Sequence, residues 1–401
     1  MLEMSGKSAA CESFPRPQEA SQSSRGARES RGREWVQGYH FPMSSQEALT
    51  LYDVARAAGV STATVSRVLH GQAGVRSSTR QQVLEVIEEL GYVPDSAAQS
   101  MARHRKEVIG LVTVESRDPD TEIEQEGLLF IEEILRGVEL ALSRHEWSVL
   151  FSVVRGAGQP DGAYRQMQKV SAKVDGLLIV EGIVSSDQLA RLAARIPVVL
   201  VAGSAAEQHV DVVDADNWSG VTALTRHMVE QHGSRRLFYI SGPPDAPDAR
   251  ERRDAFEAAV ARHPGVVITG SLQGRFAVIS GQLAAREILR TSGQELPDAI
   301  VCGNDQMAIG AMRELQATGI RVPADIAVVG FDDSHLGAMV TPPLTTVRQS
   351  MRLLGERACS LLLERIADPA LARRVERLPT ELVVRESCGC PPHGHAGVGI
   401  G

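Results

Sequence analysis

Thr50-Leu51-Tyr52-Asp53-Val54-Ala55-Arg56-Ala57-Ala58-Gly59-Val60-Ser61-Thr62-Ala63-Thr64-Val65-Ser66-Arg67-Val68-Leu69 is the stretch that decides the fold. Thr50 stands as an N-cap with Asp53 three residues on, an acidic variant of the capping box, so a short helix starts there. Gly59 supplies the positive φ that a tight turn demands, and Ser61 caps a second helix over Thr62 to Leu69. Small Ala55 permits close helix approach, while Val54, Val60, Val65 and Leu69 fall at spacings that meet between the two helices. This is the pattern of a helix-turn-helix. The polar N-terminal face of the second helix (Ser61, Thr62, Ala63, Thr64, Ser66, Arg67) presents short donors, a methyl group and one guanidinium, the groups that read base edges. Taken alone, the segment also fits a plain αα-hairpin with a solvated polar face.

Outward from this stretch, Thr79 to Leu90 carries an apolar stripe of Val83, Val86, Ile87 and Leu90 and stops at Gly91, completing a three-helix headpiece. Tyr92 to Lys106 reads as a stop, a short Ala-rich helix and a basic linker. Upstream, residues 1–48 are rich in Ser, Arg, Glu and Gly without apolar periodicity, and are expected to be a disordered extension. Met43 sits directly before the patterned sequence. It is either the true start codon or part of a regulatory tail. The extension has no apolar core of a signal peptide.

The headpiece strongly resembles the lactose/galactose repressor (LacI/GalR) family. The resemblance rests on Leu51 to Leu69, Thr79-Arg80, Glu89-Leu90-Gly91-Tyr92-Val93-Pro94 and Ile109-Gly110-Leu111-Val112, and runs from about residue 49 to residue 388. It implies that Tyr52, Ser61, Thr62, Ala63, Thr64, Ser66, Arg67, His70 and Tyr92 meet DNA, with Thr62 and Ala63 at the variable reading positions. It implies further that Ala97 to Ala102 is a hinge helix, ordered on operator DNA, in which Ala98 and the wedge residue Met101 enter the minor groove. Met101 stands where Leu is usual, Asp95 and His70 where Asn is common, and Arg76 where a capping Ser is common.

From Val108 onward, apolar runs alternate with amphipathic helical stretches: Val108–Val114, Ser148–Val154, Gly176–Val180, Val198–Ala202, Leu237–Ile240, Val266–Thr269, Ala299–Cys302 and Ile326–Val329. Such alternation is the signature of doubly wound α/β sheets, and residues 107–388 are long enough for two. Ligands of open parallel sheets bind beyond the carboxyl ends of the strands. The resemblance sharpens this into a periplasmic-binding-protein-like pair of lobes holding a small-molecule effector. The matching motifs are Asp216 to Gly220, Ser241-Gly242-Pro243, Asn304 to Ala311, Gly330 to Asp333 and Pro343 to Val347.

By that resemblance, Arg252 reaches the effector, with Arg250 and Arg253 as competing choices. Phe276 is an aromatic platform for a ring, and its alternative is a core aromatic at a strand end. Asp305 begins a helix, where it caps that helix, contacts ligand hydroxyls, or does both. Asp332 and Asp333 divide equally between a turn role and ligand binding. Ala202 replaces an Asp found in some sugar-responsive members. The expected effector is a sugar or sugar derivative, with a purine or nucleoside second.

A formal charge of −8 excludes a protein coated in nucleic acid, so any DNA contact is local. The cysteines Cys11, Cys302, Cys359, Cys388 and Cys390 are too sparse and odd in number for a disulfide framework, which points to a reducing cytoplasm. No phosphate loop, H-E-x-x-H or G-x-S-x-G motif is present, so neither catalysis nor a cofactor is expected. The tract from Cys388 to His395 combines Cys and His at short spacing, but its Gly and Pro suggest a frayed tail, 389–401, and no metal is expected. A solute receptor of the same two-lobed fold requires a secretion signal, and a sugar enzyme requires turnover. The full expectation is an all-α helix-turn-helix headpiece followed by an α/β two-lobed sensor, forming a homodimer on a pseudo-palindromic operator. No leucine heptad follows Ser387, so no tetramerising coiled coil is expected.

Overall fold

A computed structural model describes residues 49–69, 71–92, 105–115, 128–145, 147–155, 160–180, 185–204, 206–207, 209–293 and 295–391. The expectations for residues 1–48, for His70, and for the hinge with Ala98 and Met101 lie outside them. The chain divides into two compact units, one ending at Val93 and the other beginning at Pro94.

The first unit holds helices α1 (Leu51–Ala57), α2 (Thr62–Leu69) and α3 (Ser77–Leu90). The Asp53 carboxylate accepts hydrogen bonds from the Thr50 amide (3.0 Å) and hydroxyl (2.7 Å), as the capping pattern predicts. Gly59 takes φ 62° in the turn. α3 begins at Ser77, two residues before the expected Thr79, with Arg76 at the cap position and no side-chain capping bond. Val54, Ala55, Ala58, Val65, Val68, Val83 and Tyr92 form the core. Two long side chains tie the helices together across it: Arg80 donates to the carbonyls of Val68 and Gln72 past the end of α2, and Gln82 donates to the carbonyl of Ala58.

The second unit contains two parallel sheets. β1 (Val108–Glu115), β2 (Ser148–Arg155), β3 (Gly176–Val180), β4 (Val198–Val201), β5 (Asp211–Ala215) and β11 (Val375–Leu378) make a six-stranded sheet in the order β11-β5-β4-β3-β1-β2. β6 (Arg236–Ser241), β7 (Val267–Gln273), β8 (Ala299–Cys302) and β9 (Ala327–Val329) make a four-stranded sheet in the order β7-β6-β8-β9. A short antiparallel pair, β10 (Thr346–Arg348) and β12 (Glu381–Val383), completes the strands named here. The central strands β3, β4 and β8 are buried along their whole length, as strands covered by helices on both faces must be.

The helices that matter for the site are α7 (Asn217–Glu230), α8 (Pro247–Ala261), α9 (Val278–Ser292), α10 (Asp305–Ala317) and α11 (His335–Met339), with α4 (Leu128–Leu142), α5 (Pro160–Ser171), α6 (Ser186–Ala193) and α12 (Met351–Ala367) covering the six-stranded sheet. α12 packs on α4 at close range: a Cβ at Gly137 would strike the Arg352 carbonyl, and one at Gly355 the Ile134 carbonyl. Each lobe has apolar clusters on both faces of its sheet. The chain crosses between lobes after β5, after β10 and after β11, because β11 returns to pair with β5 while β12 pairs with β10. Sequence alternation did not predict β5, β10, β11 or β12. β10 and β12 are three residues long and β11 has an alternating, half-exposed burial pattern, so they lack the buried apolar run that marked the other strands.

Candidate functional site

In the headpiece, capping and packing decide which polar side chains face outward. Ser61 caps α2 by accepting from the Thr64 amide (3.2 Å), and the two hydroxyls lie 2.9 Å apart. Ser61, Ala63 and Arg67 are exposed, Thr62, Thr64 and Ser66 half-buried, and Tyr52 is 75% exposed. These expected DNA-facing residues occupy the accessible side of α1 and α2. Tyr92, expected at the DNA as well, is only 8% exposed and packs in the headpiece core.

The second constellation forms where strands of both sheets end. Arg252 on α8 is 2% exposed. Its Nε donates to Asn217 Oδ1 (2.8 Å) at the start of α7, and its Nη1 donates to the Gly303 carbonyl (2.8 Å) beyond β8. Nη2 pairs with Asp248 one turn earlier (3.1 Å), and Nη1 lies 3.8 Å from Asp332 beyond β9. The guanidinium sits 3.9 Å from the Phe331 ring centroid and 5.9 Å from that of Phe276. A delocalised, weakly hydrated cation is the side chain suited to such a dry position. Arg250 is exposed and Arg253 bonds its neighbour Asp254, so Arg252 is the arginine that belongs to this cluster.

Asp305 is fully buried at the first turn of α10, but Asn304 is the cap, accepting from the Met307 amide (3.0 Å). Of the roles left open for Asp305, capping is therefore excluded. Its carboxylate instead accepts from the Thr346 hydroxyl and the Ser334 amide (2.7 Å), bracing the turn that follows β9. Gly330 is close enough that a Cβ there would collide with this carboxylate. Asn304 also donates to the Phe276 carbonyl (3.1 Å), which ties the aromatic to the same turn. Asp332 and Asp333 take different partners. Asp332 faces Arg252 and accepts from Gln349 (2.6 Å), whereas Asp333 is held by Arg348 (2.7 Å) and Arg385 as a structural turn residue.

Backbone strain gathers at the same place. Ala202 (φ 55°), Phe276 (φ 59°), Asp332 (φ 130°) and Asp333 (φ 58°) all lie just past strand ends in the left-handed region that side chains avoid, a conformation that persists only where the surroundings enforce it. Phe276 is half-buried against the cluster under α9 and α10, and a Cβ at Gly242 would overlap its ring.

Burial pushes the carboxyls of Asp305 and Asp332 up, and for Asp305 the neighbouring charge of Asp332 adds to the rise. Asp214, at the end of β5, was missed by sequence reasoning. It is 4% exposed, and burial followed by the charge of Glu251 pushes it up to about 7. Glu251 links the lobes, accepting from Asn217 (3.3 Å) and pairing with Arg377 of β11 (3.4 Å). Tyr239 was missed as well: its hydroxyl is buried with no hydrogen-bond partner among the described residues, within electrostatic reach of Arg252 and Asp248. An apolar-looking strand end carries no sequence signal for either role.

The C-terminal cysteines are not frayed where they are described. Cys388 is 2% exposed and accepts from the Thr345 hydroxyl (3.1 Å).

Residues 50–95 match the family described as "Bacterial regulatory proteins, lacI family", and residues 225–388 match the "Periplasmic binding protein-like domain". An HTH-type transcriptional repressor PurR of Aliivibrio fischeri (strain ATCC 700601 / ES114) is 32% identical over 344 residues, covering 84% of this chain and 98% of that protein. The lac repressor dimer bound to operator and the anti-inducer ONPF aligns with a TM-score of 0.76 at 28% identity, covering 85% of this chain and 99% of that one. The transcriptional regulator CelR in complex with cellobiose aligns with a TM-score of 0.62 at 32% identity, covering 84% and 99%. Among the described residues, no helix is long and apolar enough to cross a membrane.

Proposed function

This chain belongs to the lacI family of bacterial regulatory proteins, as a DNA-binding transcriptional repressor with an effector-binding sensor domain and not an enzyme, and on that premise we propose that its effector is a neutral, hydroxyl-rich molecule, a sugar or sugar derivative. One observation carries this. Around the buried Arg252 stand the carboxyls of Asp248 and Asp332, with Asp214 within electrostatic reach, Asp305 beyond Asp332, and Glu251, itself paired with Arg377, beside them, so that carboxyls outnumber the cations among these described residues. A ligand hydroxyl can donate to an ionised carboxylate and accept from a protonated carboxyl, so a neutral polyol is matched in either state, whereas a phosphate meets repulsion from those carboxyls that are ionised. CelR, similar over nearly its whole length, is a cellobiose complex, which supports the sugar class.

Arg252, Phe276 and Asp305 are proposed as effector residues. Phe276 offers its ring as a platform, Arg252 its remaining donors, and Asp305 meets a ligand only when the turn at 331–334 moves. The unpartnered Tyr239 hydroxyl is a further donor. A purine or nucleoside is the second candidate, favoured by the Phe276 ring lying close to the Arg252 guanidinium, where a flat base stacks.

The domain borders follow the same proposal: headpiece 49–94, hinge and linker 95–106, sensor 107–388. Tyr52, Ser61, Thr62, Ala63, Thr64, Ser66 and Arg67 face operator DNA. The partner is a second copy of the chain, each headpiece taking half of a pseudo-palindromic site.

The test uses the full chain. Operator sequences are selected from random DNA, and binding is then measured against neutral sugars, sugar phosphates, nucleosides and purines. The expected result is paired half-sites and a change of operator affinity with a neutral sugar, which at 100 times its Kd adds about 2.7 kcal/mol of thermal stability. A response confined to phosphorylated sugars or to purines overturns the sugar assignment.

A further inference from the structure

We propose that His227, His232, Cys388 and Cys390 form a structural binding site for a zinc-like divalent cation, which clips the end of the sensor to the last turn of α7. The ligating atoms of the four residues all lie within 4.8 Å of one another. His227 Nε2 and His232 Nε2 are 3.2 Å apart, and Cys390 Sγ is 3.4 Å from the latter and 3.8 Å from the former. A tetrahedral zinc ion with Zn–N near 2.0–2.1 Å and Zn–S near 2.3 Å requires ligand separations of about 3.3 Å between nitrogens and about 3.6 Å from nitrogen to sulfur. The observed edges sit around those lengths. The two imidazoles cross at 74° with their Nε2 atoms converging at 3.2 Å, a separation that serves one N–H···N bond in the absence of metal and both nitrogen lone pairs on one cation in its presence.

The local chain conformation serves the same end. Cys-x-Cys is tighter than the usual zinc spacing, so both sulfurs can converge only if the backbone between them turns sharply. Gly389 does this at φ 106°, and a Cβ there would press on the His232 ring at 3.3 Å. The Thr345 hydroxyl donates to Cys388 Sγ at 3.1 Å, the kind of outer bond that stabilises a thiolate ligand. All four positions of the tetrahedron are filled by protein, the pattern of a structural site rather than a catalytic one.

His227 lies in the last turn of α7, whose first residue holds Arg252, and Ser387, next to Cys388, bonds Thr345 and Val328 near the turn that Asp305 braces. A cation here therefore stiffens the face of the lobe that carries the candidate effector cluster.

The test uses the full chain without an affinity tag, kept reduced, with Zn2+ and Co2+ as probes. The expected results are about one ion per chain by elemental analysis and, with Co2+, the intense visible bands of a tetrahedral complex with a thiolate charge-transfer band. Cys390→Ser and His232→Gln should each lose the thiolate-tetrahedral spectrum and most of the stoichiometric zinc. Chelation should lower the melting temperature of the wild type but not of these variants, and chelated wild type should melt with them, which separates a lost ion from a damaged fold. Absence of binding in the reduced wild type, an octahedral Co2+ spectrum, or full retention of the ion in both variants overturns the site.

Discussion

The headpiece and the four-stranded lobe of the sensor solve opposite problems with polar side chains. In the headpiece the buried set is Val, Ala and Tyr, and the side chains available for DNA stand outside it. In the lobe, Arg252, Asp248 and Asp305 are buried, with Asp332 half-buried against Arg252. A surface that meets phosphates and wet base edges gains from side chains left in water until contact. A pocket for a small neutral ligand gains from charges already stripped of water and held by one another, because their orientation then costs nothing further on binding. The first arrangement tolerates loss of one member, and the second does not.

Arg252→Ala tests that contrast most severely. It leaves the buried Asp248 and the half-buried Asp332 without their cation, a loss of about 3–5 kcal/mol, and urea unfolding of the full chain should show it in the sensor transition. The isolated headpiece surface is untouched, so operator binding per folded molecule should persist. A variant as stable as the wild type would show that the cluster is wetter than its burial indicates.

A smaller effect comes from Asp214. Its carboxyl is pushed up to about 7 from an ordinary value of 3.8, so the folded state binds the proton more tightly than the unfolded state. Stability from this group is therefore full below about pH 4 and is lost as pH rises towards 7. Asp214→Asn should remove that part of the decline and be more stable than the wild type at pH 8 by on the order of 1–3 kcal/mol, with little difference at pH 4. Parallel stability profiles for the two proteins across this range would rule out the buried carboxyl as the cause.

The smallest effect is expected in the headpiece. Ser61→Ala removes the α2 cap at a cost of about 1 kcal/mol, and thermal melting should register it without altering the sensor. Ala63 and Thr62 contribute no comparable stability, so substitutions there should move base preference and leave melting unchanged. If Ser61→Ala melts like the wild type, the cap is dispensable and Ser61 serves only the DNA.

Much of the site was legible in advance because the signals were local or carried by motif. Thr50, Asp53, Gly59 and Ser61 act within one turn of themselves, and Arg252 and Phe276 came from matching positions in the family the chain resembles. Asp305 was picked out by the motif it stands in, but of the roles left open only capping could be decided locally, and the preceding Asn304 takes the cap while the Asp305 carboxylate braces another turn. Asp214 and Tyr239 went unnoticed because their character comes from burial, which no spacing encodes.

Helix starts, the headpiece and the alternation of strands with helices were determined by the sequence itself, since capping and periodicity operate between residues a few positions apart. Tertiary structure alone decided which charges share a site. Arg252 finds Asn217 and Gly303 at separations of 35 and 51 residues, and Cys390 finds His232 at 158. Those meetings depend on a chain that crosses between lobes after β5, β10 and β11, and on the exclusion of water once it has done so. Tyr92 shows the same division within the headpiece: its position was plain from the motif, but only packing around Val54 and Val83 turned its ring inward.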